Sequence, residues 1–379
     1  MTVRVAVLGA GFGGLEVTAS LSERFGADIE ITLIDRASHF VFGFAKLDVL
    51  FGKHTVDAVT HPYARIAKPG VRFVRTEIRA IDPAARRVTT DAGVFEADHL
   101  VIALGADLDP AATPGLNDHG HEFYSNAGAF AAHDVLAAFT GGRIVIGVAA
   151  APFKCPPAPS ETALLMHEYL TARGLHEAST IDLVMPLPAP VPPVPAASDA
   201  LLHEFAERGI RWHPSRVITR LDPHEVVFED ASTLPFDLFL GVPRHVVPTV
   251  LVEAGLVDAG WVPVDPVTLQ TARPDVYAIG DAAAAGTPKA GAFAEGQAAV
   301  VADRIAARIS DRTGAADSTR EYDGAGVCYV EFGGHRAARV GVSFAGGTFD
   351  GASDGLATAK DDYRAARIRR WIGEPASSA

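Results

Sequence analysis

An apolar run, Val3-Arg4-Val5-Ala6-Val7-Leu8, leads straight into Gly9-Ala10-Gly11-Phe12-Gly13-Gly14. Apolar residues at helical spacing follow (Leu15, Val17, Leu21), and then a second strand-like run, Ile29-Glu30-Ile31-Thr32-Leu33-Ile34-Asp35. Strand, glycine turn, helix and strand make a βαβ unit, which commits this end of the chain to a parallel sheet covered by helices. Gly9 permits the tight turn, Gly11 lets a pyrophosphate approach the backbone, and Gly14 lets helix and strand pack closely; the helix N-terminus offers N–H donors and positive potential. Asp35 lies about 20 residues beyond Gly14, where a carboxylate accepts from the hydroxyls of an adenosine ribose. A glycine turn alone is a weak signal. With a strand before it, a helix after it and the acid at this distance, the unit is predicted to bind a dinucleotide rather than to be a plain strand–helix turn, without choosing between NAD and FAD.

Two other segments narrow the choice. Asp98-His99-Leu100-Val101-Ile102-Ala103-Leu104-Gly105-Ala106 reads as a buried strand closing at a glycine turn, and Pro274-Asp275-Val276-Tyr277-Ala278-Ile279-Gly280-Asp281 as another that ends in an acid. A separate α/β stretch lies between them, and 379 residues are enough for two or three domains. The glycine turn, the strand ending at Gly105 and the late strand ending at Asp281 together resemble the two-dinucleotide-domain flavoproteins of the pyridine nucleotide-disulfide oxidoreductase superfamily, along almost the whole chain. The resemblance implies an α/β fold with two Rossmann-like domains, the FAD domain being discontinuous, and a small C-terminal α+β segment. The expected boundaries are 1–108 and 242–315 for the FAD domain, 109–241 for the second Rossmann-like domain and 316–379 for the C-terminal segment. It also implies that Asp281 holds the ribityl chain of FAD and that a helix starting near Ala290-Gly291 points its N-terminus at the flavin pyrimidine. Lys289 beside it would add positive charge there.

The second domain opens with Gly142-Arg143-Ile144-Val145-Ile146-Gly147, followed by Val148-Ala149-Ala150-Ala151-Pro152. Only the first glycine of a nucleotide turn is present, and Pro152 removes a backbone donor that a pyrophosphate would need. This argues against a nicotinamide substrate. The stretch Pro186-Leu187-Pro188-Ala189-Pro190-Val191-Pro192-Pro193-Val194-Pro195 is read as a stiff surface connection or lid.

A net charge of −13 repels phosphate backbones, so nucleic acid is a poor partner. The chain has only two cysteines, too few for a disulfide scaffold. Cys155 lies in Pro152-Phe153-Lys154-Cys155-Pro156-Pro157-Ala158-Pro159-Ser160-Glu161, ahead of a helix predicted from about Glu161 to Leu170, and Cys328 lies in Gly326-Val327-Cys328-Tyr329-Val330-Glu331. Neither sits in a CxxC or CxxxxC, which leaves a long-range pair or two buried structural thiols. These two contexts resemble the sulfide-oxidising branch of the superfamily, the sulfide:quinone oxidoreductases and the flavoprotein subunit of flavocytochrome c sulfide dehydrogenase. The resemblance implies that Cys155 and Cys328 form a redox-active disulfide over the flavin. It implies too that sulfide or a small thiol or persulfide attacks one sulfur, and that the freed thiolate passes two electrons to FAD. Glu161 is the candidate general acid/base, its alternative being an acid that complements the helix dipole; Lys154 is a candidate for stabilising thiolate. Many quinone-reducing members carry a third cysteine in the region of Tyr124-Ser125-Asn126, and the flavocytochrome subunit tethers flavin through a cysteine near His39-Phe40-Val41. This chain has neither, so FAD is expected to be non-covalent.

With no NADH turn, haem motif or cluster cysteines, electrons must leave to an external acceptor such as a quinone. Phe332 and Phe344 are candidates for lining its cleft. The tail Asp361–Gly373 is basic, with Trp371 and Ile372 at its end, and can either lie on anionic lipid or pack as a domain helix. The start of the chain carries no leader, so the expected location is cytoplasmic, with peripheral contact at the inner face of the cell membrane; a homodimer is a further expectation. The 14 His form no metal-binding pattern. Two other readings remain open: a type II NADH:quinone reductase, and a flavin-bound sulfane-sulfur sensor or carrier without turnover.

Overall fold

The computed structural model describes residues 2–311 and 320–373. The expected boundary at 315/316 lies outside the described residues.

The first sheet is parallel throughout, with the strands Val276–Ala278, His99–Ile102, Val3–Leu8, Ile29–Asp35 and Val71–Arg75 side by side in that order. Val3–Leu8 is central, and Val5, Ala6, Val7 and Leu8 are all buried. A strand covered on both faces has no solvent side, which is why this run is apolar without alternation. The late strand returns to this sheet, with Val276 beside Leu100, so the chain leaves the first sheet and later comes back to it. The Gly9 turn, Asp35, Gly105 and Asp281 therefore lie beyond the carboxyl ends of neighbouring strands, the edge where open α/β sheets bind ligands.

The second sheet is also parallel, in the order His121–Glu122, Leu238–Val242, Gly142–Val148, Ser179–Val184, Arg211–His213. After the last helix of the first domain, Gly291–Asp311, an antiparallel meander forms from Gly326–Gly333, Arg336–Ser343 and Gly346–Ser353, and the helix Asp354–Trp371 follows. The helix after Cys155 runs over Ala158–Ala172 and starts three residues earlier than predicted. Pro159 falls in its first turn, where the missing N–H has no intrahelical partner to lose.

Of the two readings of the C-terminal tail, packing as a domain helix is the one its contacts support. Arg364 pairs with Asp48, Arg367 with Glu295, and Arg370 with Glu16 and Glu23, while Ile368, Trp371 and Ile372 are buried. These three arginines pair with acids of the first domain, as a basic helix does when it packs against an acidic body. The Pro-rich stretch, read as a surface connection or lid, exposes Pro188, Pro192, Pro193 and Pro195 and packs at its apolar positions. Val191 and Val194 are buried, and the Ser198 hydroxyl, 2.9 Å from the Val191 carbonyl, ties the turn to the following helix. Among the described residues, no helix is long and apolar enough to cross a membrane.

Candidate functional site

Two cavities run along the carboxyl edge of the first sheet, of about 320 and about 330 Å³. Gly11, Phe40, Val41, Ala103, Gly105 and Asn126 line both, so they meet in one elongated groove. Asp35 stands at one end and Asp281, Cys155 and Cys328 at the other.

The glycine turn passes a direct test for a dinucleotide. Gly9 has φ 98°, and a Cβ on it would lie 2.3 Å from the Ala103 carbonyl. A Cβ on Gly14 would lie 1.8 Å from the Gly9 carbonyl, so any side chain there forces the helix off the strand. A Cβ on Gly11 meets nothing within 4 Å, because that position faces the open groove. Asp35 accepts from the Ala10 N–H at 2.6 Å and the Ala37 N–H at 2.7 Å, one on each oxygen, which aims the carboxylate and leaves lone pairs for a ribose. At the other end burial pushes Asp281 upward, against the opposing charges of Lys154, Lys289 and Lys46. These residues fit FAD: the turn for the pyrophosphate, Asp35 for the adenosine ribose, Asp281 for the polyol chain.

Lys289 departs from its expected place. It does not line the cavity; its ammonium donates to the Asp281 carbonyl at 2.5 Å and lies 3.4 Å from the centroid of the Trp261 ring. It ties down the turn that carries Asp281. The Lys289 carbonyl also accepts from the Cys155 N–H at 2.6 Å, which locks the cysteine loop of the second domain onto the first.

Cys155 and Cys328, remote in sequence, line the same cavity as free thiols. Cys155 occupies the left-handed backbone region (φ 49°), uncommon for a residue with a side chain and held here by its bond to Lys289 and by Ala158 N–H donating to its carbonyl. Burial pushes the Cys155 thiol up to about 12; Glu161 adds to the rise, and Lys46 and Lys360 oppose it. Cys328 rises as well, through burial and the neighbouring charge of Cys155.

Glu161 is buried in the first turn of its helix and lines the cavity. Its Oε1 accepts from Lys360 Nζ at 2.9 Å and from the Glu331 N–H at 3.2 Å. Lys360 reaches Glu331 at 2.8 Å, and Lys53 bonds the other oxygen of Glu331 at 2.8 Å. Burial raises both carboxyls, but two cations hold Glu331 down to about 2, whereas burial wins at Glu161. Of the two carboxyls, Glu161 is therefore the one more readily protonated.

Lys154 donates to the Ala106 carbonyl at 2.9 Å and lines the cavity beside Cys155. Phe332 is in the second domain's core beside Val330, and Phe344 is half-exposed against Tyr322, so neither lines the cavity. Its aromatic wall is instead Phe12, Phe40, Phe42, Phe44, Tyr329 and Tyr363. The alternation Phe40-Val41-Phe42-Gly43-Phe44 was a visible signal for part of that wall; Lys46, Lys360 and Tyr124 carried none.

Residues 3–302 match the family model described as pyridine nucleotide-disulphide oxidoreductase. The chain is similar to the mitochondrial sulfide:quinone oxidoreductase of Mus musculus, 25% identical over 97% of this chain and 82% of that protein. It is also similar to the sulfide-quinone reductase of Aquifex aeolicus, 27% identical over 67% of this chain and 61% of that one. A type II NADH:quinone oxidoreductase of Staphylococcus saprophyticus is 31% identical over 31% of this chain and 30% of its own. The solved Aquifex aeolicus sulfide:quinone oxidoreductase superposes with a TM-score of 0.84 at 22% identity, covering 99% of this chain and 93% of that one, which shows the shared fold. The two parallel sheets, the glycine turn that fits a dinucleotide and the match over residues 3–302 lead to one conclusion: the chain belongs to the pyridine nucleotide-disulphide oxidoreductase family.

Proposed function

We propose that this protein oxidises sulfide, or a small thiol or persulfide, through a Cys155–Cys328 redox disulfide and passes the electrons to a quinone by way of non-covalently bound FAD. The observation that carries the reading is the convergence of Cys155, Cys328 and Glu161 on one cavity at the flavin end of a dinucleotide groove. The names of the mouse and Aquifex relatives point the same way. Bound FAD supplies a two-electron acceptor between sulfur and quinone.

The chain's own residues do the rest. Hydrosulfide attacks one sulfur of the disulfide; a new S–S bond forms, the Cys155–Cys328 bond breaks, and the other sulfur leaves as thiolate with the electron pair. Glu161 takes the proton from the attacking sulfur, and Lys360 holds its carboxyl in place. Lys46 and Lys360 favour thiolate against the cost of burial. Phe44, Tyr329, Tyr363 and the 40%-exposed Val327 form an apolar mouth suited to a quinone ring. At the degraded second turn a Cβ on Gly147 would lie 2.5 Å from the Phe239 ring, so that glycine serves core packing rather than a nucleotide.

Anaerobic mixing tests the reading. Sulfide should bleach the flavin and a quinone restore it, and Cys155→Ser should slow bleaching by roughly a thousandfold or more. Bleaching by NADH and not by sulfide would instead identify an NADH:quinone reductase. Bleaching by sulfide with no re-oxidation by any quinone would identify a sulfane-sulfur sensor or carrier.

A further inference from the structure

One residue lining the cavity carries a buried polar atom that the network around Glu161 leaves unused. Tyr124 lines the cavity, is only 4% exposed, and its hydroxyl has no hydrogen-bond partner. Burying a phenolic O–H without a partner is costly, so a buried orphan on a residue that lines a cavity marks a place for a ligand atom. The ring is held at both ends of its residue. The Glu122 carboxylate accepts from the Tyr124 N–H at 2.8 Å, and Lys46 donates to the Tyr124 carbonyl. Phe123 and His245 pack edge-on against the ring at 5.1 and 5.6 Å. The hydroxyl is thus positioned rigidly, close enough to Cys155 for a charge on that sulfur to act on it.

The surroundings specify the ligand's charge. Lys46 lies within electrostatic reach of Cys155 and 5.9 Å from the Tyr124 ring centroid. One O–H donor and one ammonium beside a thiol suit an anionic acceptor attached to that thiol, and a persulfide is such a group. Resting on the sulfide-oxidation reading, we infer that the Tyr124 hydroxyl and the Lys46 ammonium bind the terminal sulfur of a Cys155 persulfide, making Cys155 the cysteine that stores sulfane sulfur. In this chain a hydroxyl donor and a cation do the holding, with no third sulfur. During turnover hydrosulfide attacks Cys155 Sγ, a Cys155–S bond forms, the bond to Cys328 breaks, Cys328 leaves as thiolate, and Glu161 receives the proton. The same persulfide forms without turnover when the Cys155 thiolate attacks inorganic polysulfide: one S–S bond forms, one breaks, and a polysulfide shorter by one sulfur leaves with the electron pair.

The second route gives a test independent of sulfide oxidation. FAD-loaded Cys328→Ser protein, with and without Tyr124→Phe, is loaded anaerobically with inorganic polysulfide and desalted. The sulfur on Cys155 is then followed by peptide mass spectrometry during discharge by cyanide. Tyr124→Phe keeps the ring and its packing, and equal thermal unfolding of the two proteins checks that the fold is kept. The expected result is a Cys155 persulfide discharged roughly tenfold faster in the Phe variant, the effect of losing one hydrogen bond to a charged group. Equal lifetimes, or no sulfur on Cys155 of the Tyr124 protein, would overturn the inference. If lifetimes differ as expected while sulfide fails to bleach the wild-type flavin, the sulfide-oxidation reading falls and the persulfide site stands.

Discussion

At the scale of single residues, the site depends on thiols that their surroundings make poor thiolates. Cys155 is pushed up to about 12 by burial, so at neutral pH the reduced form is mostly protonated and slow to react although it lines a cavity. Below that value the thiolate fraction falls tenfold per pH unit. Alkylation of the anaerobically reduced protein by iodoacetamide at Cys155 should therefore keep rising about tenfold per unit from roughly pH 7 to pH 10, whereas an ordinary cysteine levels off near about 8.5. A plateau between roughly pH 8 and 9, read by peptide mass spectrometry, would contradict this. Sequence showed that Cys155, Cys328 and Glu161 were candidates. It could not show that Lys360 would pair with Glu161 or that Lys154 would donate to the Ala106 carbonyl, because those outcomes depend on which elements pack together.

At the scale of elements, the C-terminal helix Asp354–Trp371 is a functional wall. It supplies Lys360 to the carboxyl network and Tyr363 to the cavity, and it is pinned to the first domain by Trp371, whose Nε1 donates to Glu16 at 2.7 Å. Glu16 is only 6% exposed, so an unpaired oxygen there would be costly. Trp371→Phe keeps an aromatic ring and removes this donor; it should destabilise the protein by about 1–3 kcal/mol, read as a lower urea midpoint. The same helix shows why a basic, aromatic tail is ambiguous in sequence: Arg364, Arg367 and Arg370 would suit a lipid surface equally well, and only packing shows that their partners are Asp48, Glu295 and Glu16. The Ala158–Ala172 helix was legible apart from its start, since proline in a first turn imitates a break.

At the scale of the whole molecule, two cavities sharing six lining residues make one groove with Asp35 at one end and Asp281 at the other. FAD should bind without a covalent link and stabilise the apoprotein by about 2.7 kcal/mol when present at a hundred times its Kd. FMN, which cannot reach Asp35 or the glycine turn with an adenosine, should raise the unfolding temperature far less. Equal stabilisation by the two cofactors in a thermal melt would mean that the adenosine end of the groove is not used.

The sequence by itself determined the parallel βαβ unit, the dinucleotide turn, the return of a late strand ending at Asp281 and the scarcity of sulfur that singles out Cys155 and Cys328. These are local or compositional: glycines at a turn, apolar runs buried on both faces, and two cysteines in all. Tertiary structure alone decided that the two cysteines share a cavity, that Lys289 serves a turn, that Lys46, Lys360 and Tyr124 come within electrostatic reach of Cys155, and that Phe332 and Phe344 lie elsewhere. The physical reason is range. Backbone conformation and burial pattern are written in neighbouring residues, whereas the charge and hydrogen bonding at a buried sulfur are set by groups brought in from remote segments of the chain.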